Sequence, residues 1–587
     1  MKYNLNALSG DGKKASTFSG LRSLLKLIAH ERKNLLLAMM AILLNSTLNL
    51  LGPYLIGHTI DVYIQNKEYH GVLVYSTILL AMYLTGLFTS YFQTKLMGGV
   101  GQRMLFTLRN TIFNKLQSLP VAFFNSNKAG DLISRVNNDT DKINTFFSQS
   151  LMQFIGSIAT MTGAGIFLLV INPKLGAATL VPGLLILLFT QVISPWVKRK
   201  NAANLKSTGG LSSEIQESLA NFRVIIAFNR RDYFRKRFAN VSQENYNTAV
   251  GAGLANNLFL PVSTLFSSLA QLIVLSYGIY LISNHEFTIG LLVSYLAYAV
   301  NFYNPLRQLA TLWTSFQVAM AGWDRVNQIL SLENDLHTQP DAETDEKPTA
   351  FIEFRNVHFG YEEGREILHD VSLQIERGKT YAFVGPTGGG KSTTASLIAR
   401  LYDPRKGKVF LDGKNIKTYT AEERAEKIGF ILQDPFLFSG TVKENILYGN
   451  EKYKDFTDAA LEKVMHDNNL QKLTSIFENG LETLVSSSGE SISLGQKQLI
   501  AFIRAVLRNP DVLILDEATA NIDTVTEQLL QEILSGLPEK TTRIIIAHRL
   551  NTIKDADVIY FVNSGEIVRA GSFSEALELL MKGKRAR

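Results

Sequence analysis

The residues Gly385-Pro386-Thr387-Gly388-Gly389-Gly390-Lys391-Ser392 fit G-x-x-x-x-G-K-[ST], the spacing of a phosphate-binding loop. Glycines let successive backbone N–H groups turn inward around phosphate oxygens. Lys391 is expected to reach the β- and γ-phosphates, and Ser392, followed by Thr393, to hold Mg²⁺. A second candidate lies far downstream, where Val512-Leu-Ile-Leu-Asp516-Glu517 reads as a buried strand ending in two carboxylates. Asp516 suits Mg²⁺ coordination, usually through water, and Glu517 suits polarisation of a water beside the γ-phosphate. Taken together, the loop and the carboxylates make ATP hydrolysis the leading reading.

The elements needed to position these groups are legible around them. Thr380–Val384 is an apolar strand running into the loop, and Thr393 to Leu401 reads as the helix leaving it. That strand–loop–helix order is the context the motif requires. Further out, the composition of the 587-residue chain is uneven: the first half is apolar and the second has ordinary soluble composition. Only 19% of residues are charged, below the roughly 25% of soluble domains. The net charge of +7 has no compact basic stripe with interleaved aromatics, which argues against a nucleic-acid partner. With no cysteine, disulfides, thiolate metal sites and thiol catalysis are excluded. Met1 to Ser19 lacks the pattern of a cleaved signal peptide.

Six apolar stretches precede residue 320: Asn34–Thr59, Val72–Gln93, Phe146–Ile171, Leu175–Trp196, Ala252–Ile282 and Phe287–Leu306. Each is long enough to cross the hydrocarbon core, which takes roughly 20 residues. Lys and Arg crowd the N-terminal flank and the long connections 94–145 and 197–251, but are sparse in the short ones. The positive-inside rule then puts both termini and the phosphate loop in the cytosol. The long connections are helical in period and predict paired stalks extending the membrane helices. Leu21, Leu24, Leu25 and Ile28 repeat between basic residues, as in an amphipathic helix lying on the bilayer. The expected organisation is a cytoplasmic N-terminal segment with that elbow helix (1–33), a six-span transmembrane domain (34–330), an acidic linker (331–350) and a nucleotide-binding domain (351–587). The fold class is multidomain: an all-α six-helix transmembrane domain followed by an α/β P-loop domain.

At this point the chain resembles the ATP-binding cassette (ABC) family, and within it the half-size exporters. Ser491-Ile492-Ser493-Leu494-Gly495-Gln496 resembles the family signature, usually L-S-G-G-Q, which other phosphate-loop ATPases lack. It opens a helix predicted from Gln496 to Leu507, so Ser493, Gly495, Gln496 and backbone N–H groups can meet a phosphate there. In the family that phosphate belongs to ATP held by a partner subunit, so the resemblance implies a dimer of half-transporters. It also implies roles for single positions. Tyr361 corresponds to the aromatic that stacks on adenine, with a core tyrosine as the alternative. Gln433 corresponds to the glutamine that touches Mg²⁺ and water, Asp523 to the aspartate at the dimer interface, and His548 to the histidine on the γ-phosphate. In the membrane half, Phe123-Phe124, Gly130, Ser134-Arg135 and Asp139 resemble a first coupling segment. Glu217 and Val224–Phe228 resemble the stretch near a second.

The chain departs from the family pattern at Leu494, where glycine is usual, and at Ala520-Asn521-Ile522-Asp523, where S-A-L-D is usual. Such departures occur in paired, non-identical half-exporters, so homodimer and heterodimer both stay open. The resemblance implies ATP and Mg²⁺ as cofactors, and export of a small amphipathic or lipid-like compound across a bilayer; the lack of a targeting pattern favours a bacterial inner membrane. An importer on the same fold and a nucleotide-gated channel or regulator are the alternatives. Asn45 and Asn49 on the first span, and Tyr295, Tyr298, Asn301 and Phe302 on the sixth, are read chiefly as helix packing, with a cavity lining as the alternative. Arg307 is expected to snorkel to the interface.

Overall fold

The computed structural model describes residues 3–5, 31–334, 336–339, 348–362, 364–467, 470, 476–486, 492–516, 524–546, 556–570, 574–575 and 578. The chain divides into two compact units. One is built on residues 130–331 and the described residues up to Leu116. The other is built on the chain from Leu332 onward and includes residues 117–129 and Tyr3–Leu5.

The first unit is helical. Five segments are long and apolar enough to cross a membrane by length and composition: Arg32–Ile64, Tyr69–Gln117, Ala129–Ile171, Pro173–Ala220 and Arg231–Ser283. The sixth expected span is also a helix, Ile289–Leu330, but its tyrosines and asparagines dilute the apolar run below that of the other five. It packs against the helices Arg32–Thr59, Leu151–Ile171 and Phe259–Ser283. The second and fourth helices run 49 and 48 residues, well beyond what a bilayer requires. Leu80, Leu84, Leu87 and Phe88 of the second helix lie on the surface, as lipid-facing side chains should.

The tyrosines of the sixth helix are fasteners. Tyr295 and Tyr298 are fully buried, and their hydroxyls donate to backbone carbonyls of other helices: Tyr295 to Leu168 and, at 3.1 Å, to Asn172, and Tyr298 to Leu50 at 2.7 Å. Tyr303 donates to the Thr179 carbonyl at 2.6 Å. Packing is therefore what these tyrosines do. A buried phenol in hydrocarbon needs an acceptor, and a helix carbonyl can accept a second bond.

In the second unit the helix Val121–Ser126 lies with the nucleotide domain. Strands β1 (Ile352–Phe359), β2 (Leu368–Ile375), β4 (Lys406–Leu411) and β5 (Lys414–Asn415) form an antiparallel sheet in the order β2-β1-β4-β5. The other main sheet runs β12-β11-β3-β10-β9-β6, with β3 Thr380–Val384, β6 Ile428–Ile431, β9 Val512–Asp516, β10 Thr542–Ile546, β11 Val558–Asn563 and β12 Glu566–Ala570. All its pairings are parallel except β11–β12. Strands β3, β9 and β10 are almost wholly buried and read as continuous apolar runs, the pattern of a parallel sheet covered on both faces. Their carboxyl ends share one edge, which is where open α/β sheets bind ligands.

Candidate functional site

Strand β3 delivers the phosphate loop to that edge. Gly385 has φ +148°, and a Cβ there would land on the carbonyl oxygen of Val562 in the neighbouring β11. Gly390, with φ +116°, is the N-cap of the helix Lys391–Ile398. Glycine is required at both positions, by close approach in one case and by left-handed backbone in the other. The Lys391 ammonium is nearly buried and donates to the carbonyls of Gly385 at 2.8 Å and Pro386 at 3.0 Å. These two bonds fold the side chain over the loop that is expected to hold phosphate.

Strand β9 ends at Asp516, two strands from β3. The Ser392 hydroxyl donates to Asp516 Oδ1 at 3.0 Å. Two motif residues 124 positions apart thus supply adjacent hard oxygens at the helix N-terminus. Mg²⁺ takes such a donor set when phosphates complete its shell. Gln433 sits two residues beyond the end of β6, which pairs with β9 on the same sheet, and its side chain is exposed. The predicted Glu517, Asp523 and His548 lie outside the described residues, as does the elbow helix around Leu21–Ile28.

Tyr361 is half exposed. Its hydroxyl lies 3.2 Å from Thr393 Oγ1, in the first turn after the loop. Its ring meets Phe359 and Tyr402 edge-on at 5.0 Å each. The platform is therefore held from beneath by two aromatics while one face stays open. Tyr402 was not singled out from sequence. It is half-buried, and burial pushes its phenol above the ordinary tyrosine range, opposed by the bond it accepts from Asn125.

The signature residues form a capping box. Ser493 is the N-cap of the helix Leu494–Val506; its Oγ accepts from Gln496 N at 3.2 Å, and Gln496 Oε1 accepts from Ser493 N at 2.8 Å. This refines the sequence expectation. Ser493 has spent its own N–H, so the donors open to a phosphate are its hydroxyl and the N–H groups of Leu494 and Gly495. Leu494 presents its side chain to solvent.

The first coupling segment splits between the units. Phe123 is buried and Phe124 exposed in the unit holding the nucleotide domain. Gly130, Ser134, Arg135 and Asp139 belong to the membrane unit instead. There Arg135, almost fully buried, donates to Asp131 at 2.9 Å, to Gln328 at 2.8 Å and to the Arg325 carbonyl at 2.7 Å. Arg325 pairs in turn with Asp139 at 3.0 Å. Arg135 and Asp139 thus clamp the sixth helix to the chain around residue 135. Near the second segment, Glu217 pairs with Arg237 at 2.9 Å, and Phe222, Val224, Ile226 and Phe228 stand exposed.

Cavities lie among the described residues of the membrane unit. One of about 910 Å³ is lined by Phe146, Phe259, Val318, several hydroxyl side chains and Lys198. A smaller one of about 230 Å³ lies among the first, second, third and sixth helices.

Comparison with known proteins agrees with this architecture. Residues 35–306 match the family described as the ABC transporter transmembrane region, and residues 368–520 match the family described as ABC transporter. An uncharacterized ABC transporter ATP-binding protein of Bacillus subtilis is 34% identical over 96% of this chain and 93% of its own length. A fatty acid ABC transporter ATP-binding/permease protein of Mycobacterium tuberculosis is 34% identical over 85% of this chain and 78% of its own. A multidrug resistance ABC transporter ATP-binding and permease protein of Lactococcus lactis is 33% identical over 85% of this chain and 84% of its own. With a phosphate loop meeting a strand-end aspartate in one unit and a bundle of apolar helices in the other, the chain belongs to the ABC transporter family of the exporter type, its membrane region and its ATPase carried on one polypeptide.

Proposed function

We propose that this chain is one half of an ATP-driven exporter of amphipathic or lipid-like compounds, working as a dimer by alternating access. The observation that carries the hydrolytic part is the 3.0 Å contact between Ser392 and Asp516, reached from two separate motifs. When Mg²⁺ is bound, Ser392, Asp516 and Gln433 hold it, and it neutralises charge on the β- and γ-phosphates. Lys391 and the backbone of 385–390 cradle those phosphates, Thr393 closes the loop's end, and adenine stacks on Tyr361. Glu517 orients the attacking water and His548 contacts the γ-phosphate. Ser493, Gly495 and Gln496 serve the ATP of a second subunit, and Asp523 lies at that interface.

Dimerisation is supported by the exposed, capped N-terminus of the helix Leu494–Val506, which offers hydroxyl and N–H donors suited to a phosphate. The exposed apolar tip Phe222–Phe228 suits docking on a nucleotide domain. The charge distribution supports cytosolic termini and ATPase, and the bacterial relatives support an inner-membrane location. Relatives named for fatty acids and for multidrug resistance support a hydrophobic cargo. An importer would share all of this, so sided vesicles are the test. Inside-out vesicles should accumulate the cargo with ATP, and Glu517→Gln should abolish both accumulation and steady-state hydrolysis. Accumulation in right-side-out vesicles would reverse the direction, and normal ATPase in Glu517→Gln would remove the catalytic assignment.

A further inference from the structure

The smaller cavity of the membrane unit has an unusual wall. Asn45, Ser46 and Asn49 come from the first helix, Gln93 from the second, Gln153, Ser157 and Thr160 from the third, and Gln308 from the sixth. Five of these are carboxamides, and none of the lining residues is charged. Asn45, Asn49 and Gln153 fall inside apolar stretches long enough to cross a bilayer. Polar side chains in that position are costly, so their convergence calls for a reason.

Mutual hydrogen bonding is a poor reason. Asn49 Nδ2 approaches Asn45 Oδ1 at 3.5 Å, Ser157 Oγ approaches Gln308 Oε1 at 3.5 Å, and Thr160 Oγ1 approaches Ser46 Oγ at 3.4 Å. All three are at the outer limit for a hydrogen bond. The tyrosines of the same bundle behave differently, with two of them closing on carbonyls at 2.6 and 2.7 Å. Helices that can make short bonds where packing is the purpose have left this cluster slack. Asn49, Gln153 and Gln308 are exposed. Polar side chains on membrane-length apolar helices with such weak partners are left able to bond a ligand.

We infer that this recess is a binding site for the uncharged, hydrogen-bonding head of an amphiphile, one bearing several hydroxyl or amide groups. This rests on the transporter reading for its cargo role. Carboxamides and hydroxyls both donate and accept, which matches a polyol or amide. An ionised head would enter with no counter-ion, since Arg307, beside Gln308 in sequence, is not part of the wall. The volume of about 230 Å³ equals roughly seven or eight waters at ~30 Å³ each, the scale of a glycerol or monosaccharide head. Ile42 and Met152 give one side of the recess an apolar wall.

The test uses the full chain, with any second subunit that copurifies, in phosphatidylcholine nanodiscs without ATP. Binding is measured for three probes with equal twelve-carbon tails: monolaurin, laurate and dodecyltrimethylammonium. Monolaurin should bind at least about tenfold more tightly than either charged probe, and the pair Asn49→Leu with Gln153→Leu should erase about a tenfold share of that affinity. Asn49→Asp should lose monolaurin and gain dodecyltrimethylammonium, a gain that a misfolded protein could not show. Equal or tighter binding of either charged probe, or unchanged monolaurin affinity in the leucine pair, would overturn the assignment. ATP-dependent movement of monolaurin is read separately, so loss of transport with binding intact would count against the exporter reading and not against the site.

Discussion

Asn125 donates its side-chain N–H to the Tyr402 hydroxyl at 2.7 Å, while the Tyr402 ring lies 5.0 Å from that of Tyr361. The helix Val121–Ser126 is thereby joined, through one phenol, to the aromatic proposed to hold adenine. Thr393, bonded to Tyr361 at 3.2 Å, carries the connection into the helix after the phosphate loop.

Replacing that phenol by Tyr402→Phe keeps the ring packing and removes one hydrogen bond, a change of about 1 kcal/mol. Basal ATP hydrolysis should stay within about threefold of the unaltered protein, while stimulation by transported compounds should fall by more than half. Asn125→Ala should do the same, and the double variant should be no worse than either single one. Steady-state ATPase with and without cargo reads the cycle, and additive losses would show that the two residues act apart.

Arg400 is fully buried and knits three segments. It bonds Asp403 at 3.0 Å, the carbonyls of Lys417 at 3.1 Å and Ile416 at 3.4 Å, and, in the linker, the His337 carbonyl at 2.8 Å. Arg400→Ala strands several carbonyls and leaves Asp403 only its longer contact with Lys417 at 3.6 Å, at a cost of about 3 kcal/mol. Arg400→Lys recovers little of it, since one ammonium cannot reach so many acceptors. Thermal unfolding should drop by many degrees in both variants, with the larger drop in alanine.

Acid should loosen the nucleotide domain through Asp412. Lys427 at 2.9 Å and Arg377 at 2.9 Å hold its carboxyl below the ordinary aspartate range, Lys427 contributing most. A depressed carboxylate contributes stability above its unfolded pKa and loses it as pH falls through the folded one. The contribution is therefore complete at neutral pH and fades below about pH 4. The pair is partly exposed, so Asp412→Asn should cost less than ~1 kcal/mol at pH 7 and flatten the acid limb of a melting-temperature profile. An unchanged acid limb would remove Asp412 from the account.

At the proposed metal position the two oxygens should not be equivalent. Asp516→Asn removes charge and should lower hydrolysis by at least about a hundredfold; Ser392→Ala removes a neutral ligand and should chiefly raise the Mg²⁺ required. Titrating Mg²⁺ against ATPase rate separates them. Full recovery of Asp516→Asn at high Mg²⁺ would mean that the carboxylate only recruits the ion.

The phosphate loop was legible because its requirements are local: glycine where φ is positive, an apolar strand before it, a helix after. Strands β3 and β9 ran as their apolar residues foretold, and the signature helix began two residues earlier than expected because Ser493 caps it. Tyr402 and Arg400 left no such mark. Each acts through partners such as Asn125 and His337, 277 and 63 positions away, that only tertiary packing supplies. The polar recess was half visible. Asn45 and Asn49 stood out at helical spacing on one span, whereas Gln93, Gln153 and Gln308 join them from three other helices. Arg135 and Asp139 stood out by their resemblance to a coupling segment, but their bonds to the sixth helix left no mark, because a sequence does not say which helix a buried arginine faces.

The hydroxyls of Tyr295, Tyr298 and Tyr303 bolt the sixth helix to the third, the first and the fourth. A lever is useful only if it does not bend, and these bolts stiffen four helices into a single beam. In the proposed dimer, work done at the nucleotide end would then be spent on turning whole subunits against each other rather than lost in flexing one of them. A change that weakens the bolts should waste ATP without stopping its hydrolysis.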